Sequence, residues 1–396
     1  MKILWTIAWT ILSSVVLLGT VFAPTRTPLS TSTPTVLAAA PGPAAKSKTV
    51  LNQLIEGARK EGEVDIFIHP TGSEEVAQSF RQYLQEKFGL QIKINLDPTG
   101  RSDVKTSQAV GETMQGIPPT YDVQYDGSHN IIQLLEVKGV KRIDNVELLL
   151  SEIAPQALPV LDKISPGPFK ERAFTYADWI KAIIYNPKLI SAAELPKTHK
   201  ELADPKYKGI FAIPPWTSDA TAAILVYNNE EALDIIKGIG ANKAATERED
   251  PAVSRMLLGE FKFVDANAHY YHEFKAKDPK APIGVAFFRD YTTVNEAMYF
   301  VREGARHPNA ATLFVFWHLS ERGNQAFEKA AFTPSLYLPS SKIGQEIRKQ
   351  IKTNNVKLAS FFENEENMNK LRWLATADGK KFLERLSEAW QGGRRK

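Results

Sequence analysis

The chain has 396 residues, 43% hydrophobic and 24% charged, enough to bury a large core in two domains or lobes. It contains no cysteine, which excludes disulfides, thiolate catalysis, cysteine-ligated metals and a lipid-modified N-terminal cysteine. The net charge of +4 lies wholly in the first 48 residues: setting aside Lys2, Arg26, Lys46 and Lys48 leaves 45 basic residues against 45 acidic ones, so the rest offers no broad basic field for nucleic acid.

Lys2 precedes an uncharged run, Ile3 to Ala23, the pattern of an export signal. The run is also about as long as the ~20 residues of a membrane span. Residues 1–23 therefore read as a signal peptide, cut after Ala23 or after Ala40, or as a retained N-terminal membrane anchor. Residues 24–48 are rich in Thr, Ser, Pro and Ala without any hydrophobic period, and read as a disordered linker.

Val50 to Lys60 has the pattern of a short amphipathic helix. Val64 to Ile68 follows as a strand broken by His69-Pro70, and Thr71-Gly72-Ser73 opens a helix with Val76, Phe80, Tyr83 and Leu84 on one face. Gln91 to Leu96 is a second strand, and Pro98-Thr99-Gly100-Arg101-Ser102 leads into the next helix. Tyr121 to Tyr125 is a third, followed by Asp126-Gly127-Ser128-His129 and a helix through Leu135.

Three successive strand–turn–helix units predict an α/β fold with a mostly parallel sheet. Ligands of such sheets sit beyond the carboxyl ends of the strands, where helices begin and present free N–H groups to an anion. Thr71, Gly72, Ser73, Thr99, Arg101, Ser102, Asp126 and Ser128 are the candidates here. The competing reading is that each hydroxyl merely caps its own helix.

Ile143 to Phe169 carries four prolines and reads as a surface connection; Ala173 to Trp179 and Lys181 to Tyr185 read as strands. Ile210 to Ile213 is a further apolar strand, and Thr217-Ser218-Asp219 stands ahead of an alanine-rich helix, Ala220 to Tyr227, which adds Thr217 and Ser218 to the candidates. The segments YNPKL, ELPKT and LADPKYKGIFAIP, within Ala182 to Ala223, resemble the middle of the solute-binding components of ABC importers, in the group that takes ferric iron, thiamine, polyamines or phosphonates. A second block, ARHPNAATLFVFWHLSERGNQAF from Ala305 to Phe327, is similar to that group's helix near the chain end.

The resemblance implies a two-lobed, type II periplasmic-binding-protein-like fold, with crossing strands hinging lobes that close over a solute. Lobe 1 is expected to comprise 49–172 plus 290–340, and lobe 2 173–289 plus 341–396, with Pro282 to Phe288 as the second crossing strand. Phe174, Tyr176 and Trp179 either line the cleft or belong to the core. The iron-binding branch of this group uses adjacent tyrosines, a histidine and an acidic residue. By position Tyr270 and Tyr271 match the pair, with His69 as the histidine and Asp126 near the acidic turn. Phenolate and carboxylate oxygens are hard donors suited to a trivalent ion; the alternative is that Tyr270, Tyr271 and Phe274 pack a helix onto its lobe. His269 and His272, three apart, are weak evidence for zinc. Arg289 reaches a ligand anion or pairs with Asp290, and His307 belongs to a packing motif.

No Walker loop, HExxH or GxSxG elbow is present, so the chain is not read as an enzyme. The expected function is an exported, monomeric solute-binding component of an ABC importer, taking a small polar or anionic solute and meeting permease and ATPase subunits. No cofactor is expected; Fe3+ enters only as transported ligand. The alternatives are a ferric-iron-binding protein of the same fold and a membrane-tethered ligand-sensing receptor domain.

Overall fold

A computed structural model describes residues 43–392. The expected signal or anchor and most of the linker lie outside the described residues. The linker's last six residues, expected to be disordered, are instead helical: the first helix runs Pro43–Glu61, and Ser47 donates to Glu152 Oε1 at 2.6 Å. Among the described residues no helix is long and apolar enough to cross a membrane.

Among the described residues ten strands build the sheet: β1 (Glu63–Phe67), β2 (Lys93–Asp97), β3 (Val123–Gly127), β4 (Ala173–Tyr185), β5 (Phe211–Ile213), β6 (Ala245–Thr246), β7 (Phe263–Asn267), β8 (Gly284–Ala286), β9 (Thr292–Val301) and β10 (Leu358–Ala359). Their order is β2-β1-β3-β9-β4-β7-β5-β6, with β10 against β9 and β8 against β4. At one end β2, β1 and β3 are mutually parallel, and at the other so are β7, β5 and β6. Between them the long strands β4 and β9 run antiparallel to each other, with an irregularity between Thr175 and Ala177.

These two strands cross between the lobes. The first half of β4 and the second half of β9 complete the sheet of lobe 1, where Val123 to Gly127 of β3 face Val301 to Ala297. The second half of β4 enters lobe 2, where Lys181 to Tyr185 face Asn267 to Phe263. The fold is therefore two-lobed α/β, mixed rather than mostly parallel because the crossing strands are antiparallel. The second crossing strand is β9, not the apolar run 282–288, which supplies only short β8 on the edge of lobe 2.

Each lobe has its own core. In lobe 1, Val76, Phe80, Tyr83 and Leu84 of helix Ser73–Phe88 pack with Phe314 and Trp317 of helix Pro308–Leu319. That second helix shows no polar face, since Ala310 through Leu319 are all buried. In lobe 2, Ile235, Ile236 and Ile239 meet Leu386 and Trp390 of the last helix, Ala377–Trp390.

The proline-rich stretch after Ile143 is more than a surface connection. Val146, Leu149, Leu150 and Ile153 repeat at helical spacing and are buried, while Pro155 and Pro168 start short 3-10 turns where their missing N–H costs nothing. Phe174 and Tyr176 are core residues; Trp179 is half-buried.

His307 does pack. Its amide donates to Asp122 Oδ1 at 3.0 Å and its Nδ1 lies 2.7 Å from Asp122 Oδ2, while Arg306 meets Asp65 at 2.7 Å. Asp65, Asp122 and His307 have the composition of a cation site. Their oxygens are nevertheless occupied by backbone and arginine donors, which pin the buried helix to β1 and β3.

Candidate interlobe binding site

The carboxyl ends of β1, β2 and β3 in lobe 1 and of β5 and β7 in lobe 2 carry the candidate residues. The helices that follow these strands begin at Ser73, Ser102, Ser128, Ser218 and His269, and none has a side-chain cap. Among the described residues six α-helices elsewhere are capped, by Thr198, Asn228, Ser320, Ser341, Asn364 and Thr376. The hydroxyls at the strand ends thus sit one position inside their helices rather than capping them, and the first-turn N–H groups keep their donor capacity. The helix at Ser218 is shorter than expected, ending at Ala222 and passing into a 3-10 turn.

His69 projects just past β1. Its ring lies between Tyr125 and Phe327, each 5.6 Å away, and its Nδ1 accepts from the Thr71 amide at 3.2 Å. Gly72 turns the chain here with φ +68°, and a Cβ on it would lie 2.2 Å from Ala330 Cβ, so the turn admits only glycine. Burial pushes the His69 imidazole down to about 4.

His269 opens the helix after β7. Burial, then the positive charges of His69, Lys181 and His272, push it down to about 3, and its Nδ1 has no hydrogen-bond partner among the described residues. The charge of His69, just past β1 in lobe 1, is thus felt at His269 in lobe 2. Both side chains are half-buried.

The Tyr270 ring lies 4.2 Å from that of His269. Burial, then the carboxylates of Glu249, Asp250 and Glu273, raise its phenol well above the usual range. Beneath it, Lys181 and Glu249 form a buried ion pair, and Asn267 Nδ2 donates to Glu249 Oε2 at 2.7 Å. Trp216, 39% exposed, lies over the Lys181 ammonium at 5.8 Å.

Tyr271 sits edge-on to His272 at 5.1 Å, and His272 faces Glu346 at 4.0 Å. His269 and His272 accordingly serve different surroundings rather than one zinc ion. Asp126 is buried, and its oxygens accept from Thr106, Gly127 N and Asn130. Ser128 is likewise buried, donating to Glu296 at 2.7 Å.

Thr71, Thr99 and Arg101 are exposed; Thr99 bonds to Asp97, and Arg101 pairs with Asp103 at 2.6 Å. Gly72, Ser73, Ser102, Thr217 and Ser218 are half-buried at the strand ends. Arg289 is exposed, while Asp290 is taken by His199 and Tyr227. Sequence reasoning singled out His69 and Tyr270 but passed over His269 as a ligand, and over Lys181, Glu249 and Asn267. The alternation of β4 and β7 was the available signal, since Lys181 within β4 is the cross-strand partner of Asn267 at the end of β7.

A family model described as bacterial extracellular solute-binding protein matches residues 78–355. A stretch of 217 residues is 26% identical to the Fe(3+)-binding periplasmic protein of Serratia marcescens, covering 48% of this chain and only 60% of that relative. Iron-bound HitA from Pseudomonas aeruginosa superposes with a TM-score of 0.63 at 20% identity, over 83% of this chain and 99% of that one. The Trichodesmium protein IdiA (FutA), solved with iron and citrate, gives 0.59 at 20% identity, over 82% and 99%. At such identities these structures establish the shared fold.

Proposed function

The chain belongs to the bacterial extracellular solute-binding protein family, and from that premise we propose that it is the solute-capturing component of an ABC importer whose cargo is ferric iron held with a small oxyanion such as citrate. Cargo enters between the open lobes, is held by residues of both, and passes to permease and ATPase subunits at the outer face of the membrane. His69 would approach from lobe 1, and His269 with Tyr270 from lobe 2. What supports this reading most is the placing of His269 and Tyr270 side by side at the helix start after β7, their rings 4.2 Å apart, where the charge of His69 from lobe 1 is also felt.

A trivalent ion turns a protonated phenol into a ligand by displacing its proton, which burial alone does not do at Tyr270. The uncapped helix starts around the crevice suit the oxyanion. The names of the relatives, which refer to ferric iron and in one case to citrate, support this cargo class.

The test is titration of the full-length protein with ferric citrate, followed by the visible tyrosinate-to-iron charge-transfer band. Tyr270→Phe is expected to abolish the band, and Tyr271→Phe to leave it. A tight cargo at a hundredfold excess over its dissociation constant stabilises the fold by about 2.7 kcal/mol, which a thermal melt resolves. Should ferric citrate give neither band nor shift while a phosphonate, sugar phosphate, thiamine or polyamine does, the iron reading is wrong. Sequencing the N-terminus of the exported protein separates a cut signal from a retained anchor.

A further inference from the structure

Asp178 on β4 and Glu296 on β9 lie directly opposite each other in the ladder that joins the lobes. They are 0% and 4% exposed. Asp178 is clasped by the segment after helix Glu321–Ala331: its amide donates to the Pro334 carbonyl at 2.7 Å, and the Leu336 amide donates to its Oδ2 at 2.6 Å. The Ser335 hydroxyl also acts on this carboxyl and favours its charged form.

Glu296 accepts from two hydroxyls that belong to different parts of the molecule. Ser128 Oγ donates from the start of the lobe 1 helix at 2.7 Å, and Ser360 Oγ donates from just beyond β10. The segment after Ser360 bridges the lobes: the Phe362 ring packs 4.8 Å from Phe169 of lobe 1, while Leu374 lies in the lobe 2 core. One carboxylate thus ties lobe 1 to the strap that spans the hinge.

The charged and titratable groups facing the pair are few. Arg348, on helix Lys342–Thr353, donates to the Leu336 carbonyl at 2.6 Å, and its charge draws the Asp178 carboxyl down by less than that of Glu296 raises it. Tyr337 feels both carboxylates and Glu363. Among the described residues neither acid has an ion-pair partner. Two carboxyl groups opposed on adjacent buried strands do not both ionise readily. Burial, with the charge of Glu296 adding to it, holds Asp178 up at about 8, and burial raises Glu296 as well.

We propose that Asp178 and Glu296 form a latch, which holds a proton while the lobes are closed and lets them part when that proton leaves. A second negative charge is disfavoured in the dry hinge and is better hydrated when the strands flex apart. The bonds of Glu296 to Ser128 and Ser360 carry the change to both sides of the gap. Asp178 has a folded pKa above its unfolded value of ~3.9. Its contribution to the stability of the fold is therefore complete below ~3.9 and is lost as pH rises through about 8, and the latch places that loss on the closed form, where the pair is dry.

The inference rests on the hinge-closure reading, and its test needs no cargo. Because the chain lacks cysteine, Glu75→Cys and Lys280→Cys, exposed on opposite lobes, accept a donor–acceptor dye pair in the full-length protein. Transfer efficiency should fall between about pH 6 and about pH 9.5, and Asp178→Asn should remove the fall. Glu296→Gln, which takes away the opposing charge, should shift the midpoint downward, and it serves alone if Asp178→Asn does not fold.

A fall of equal size in Asp178→Asn, or none in the parent, overturns the latch. So does a difference in melting temperature between parent and Asp178→Asn that stays constant over that range. A protein that opens with pH yet takes none of the solutes tested above refutes the cargo assignment and leaves the latch standing.

Discussion

His318 shows how a single residue sets a pH dependence far from the crevice. It is 1% exposed, packed among Tyr176, Tyr299, Phe314, Trp317 and Phe327, and neither ring nitrogen has a partner among the described residues. Burial pushes it down to about 3. Its folded pKa lies below the unfolded value, so the stability it allows is complete above ~6.5 and is lost as pH falls through the acid range. Relative to His318→Phe, the parent should lose about 2 kcal/mol between about pH 7 and about pH 5, read from urea unfolding at each pH. Any constant packing cost of the larger ring cancels in that difference. Parallel stability curves for the two proteins would show that His318 is not a buried neutral imidazole.

The same scale shows why some site residues were legible and others were not. His69 interrupts an apolar strand just before a proline, and Tyr270 stands in an aromatic cluster, so both are conspicuous in the chain. Asp126 is equally conspicuous. Its fate as a buried acceptor for Thr106 and Asn130 depends on partners 20 residues before it and four after. His269 looks like one more member of an aromatic run until β7 ends at Asn267 and sets it at a helix start, where the charge of His69 is felt.

At the scale of elements, hydrophobic period identified most helices and strands, because burial of one face imposes that period. It failed where both faces are covered. β9 reads TTVNEAMYFV, with polar residues in a strand that is almost wholly buried, while the run 282–288 looks more like a central strand and is not one. Polar residues are tolerated in β9 because Glu296 finds Ser128 and Ser360.

Close approach of elements is similarly invisible beforehand. A Cβ on Gly240 would lie 1.9 Å from the Ala389 carbonyl, so helices Asn229–Asn242 and Ala377–Trp390 touch backbone to backbone. Gly240→Ala must push them apart and should cost about 1–3 kcal/mol by overpacking. The midpoint of urea unfolding measures it, and an unmoved midpoint would contradict this packing of lobe 2.

For the whole molecule, closure is the property on which function depends. Ferric citrate should raise transfer between dyes at Glu75→Cys and Lys280→Cys in the parent, and leave Tyr270→Phe unchanged. A ligand moves the equilibrium only through its differential contacts with the two states, and Tyr270 is the contact that lobe 2 would supply. Iron that bound without changing transfer would separate capture from closure and remove the hinge from the mechanism.

From the chain alone came the α/β class, the succession of strand–turn–helix units, the absence of thiol chemistry and the resemblance to solute-binding proteins. Each rests on local period, composition or a contiguous motif, and these survive without knowledge of neighbours. The tertiary structure decided which strand returns across the hinge and which hydroxyls bond to Glu296 instead of facing the gap. Those outcomes depend on pairings between residues as far apart as Ser128 and Glu296. Only the folded chain supplies the burial and opposing charge that give such side chains their chemistry.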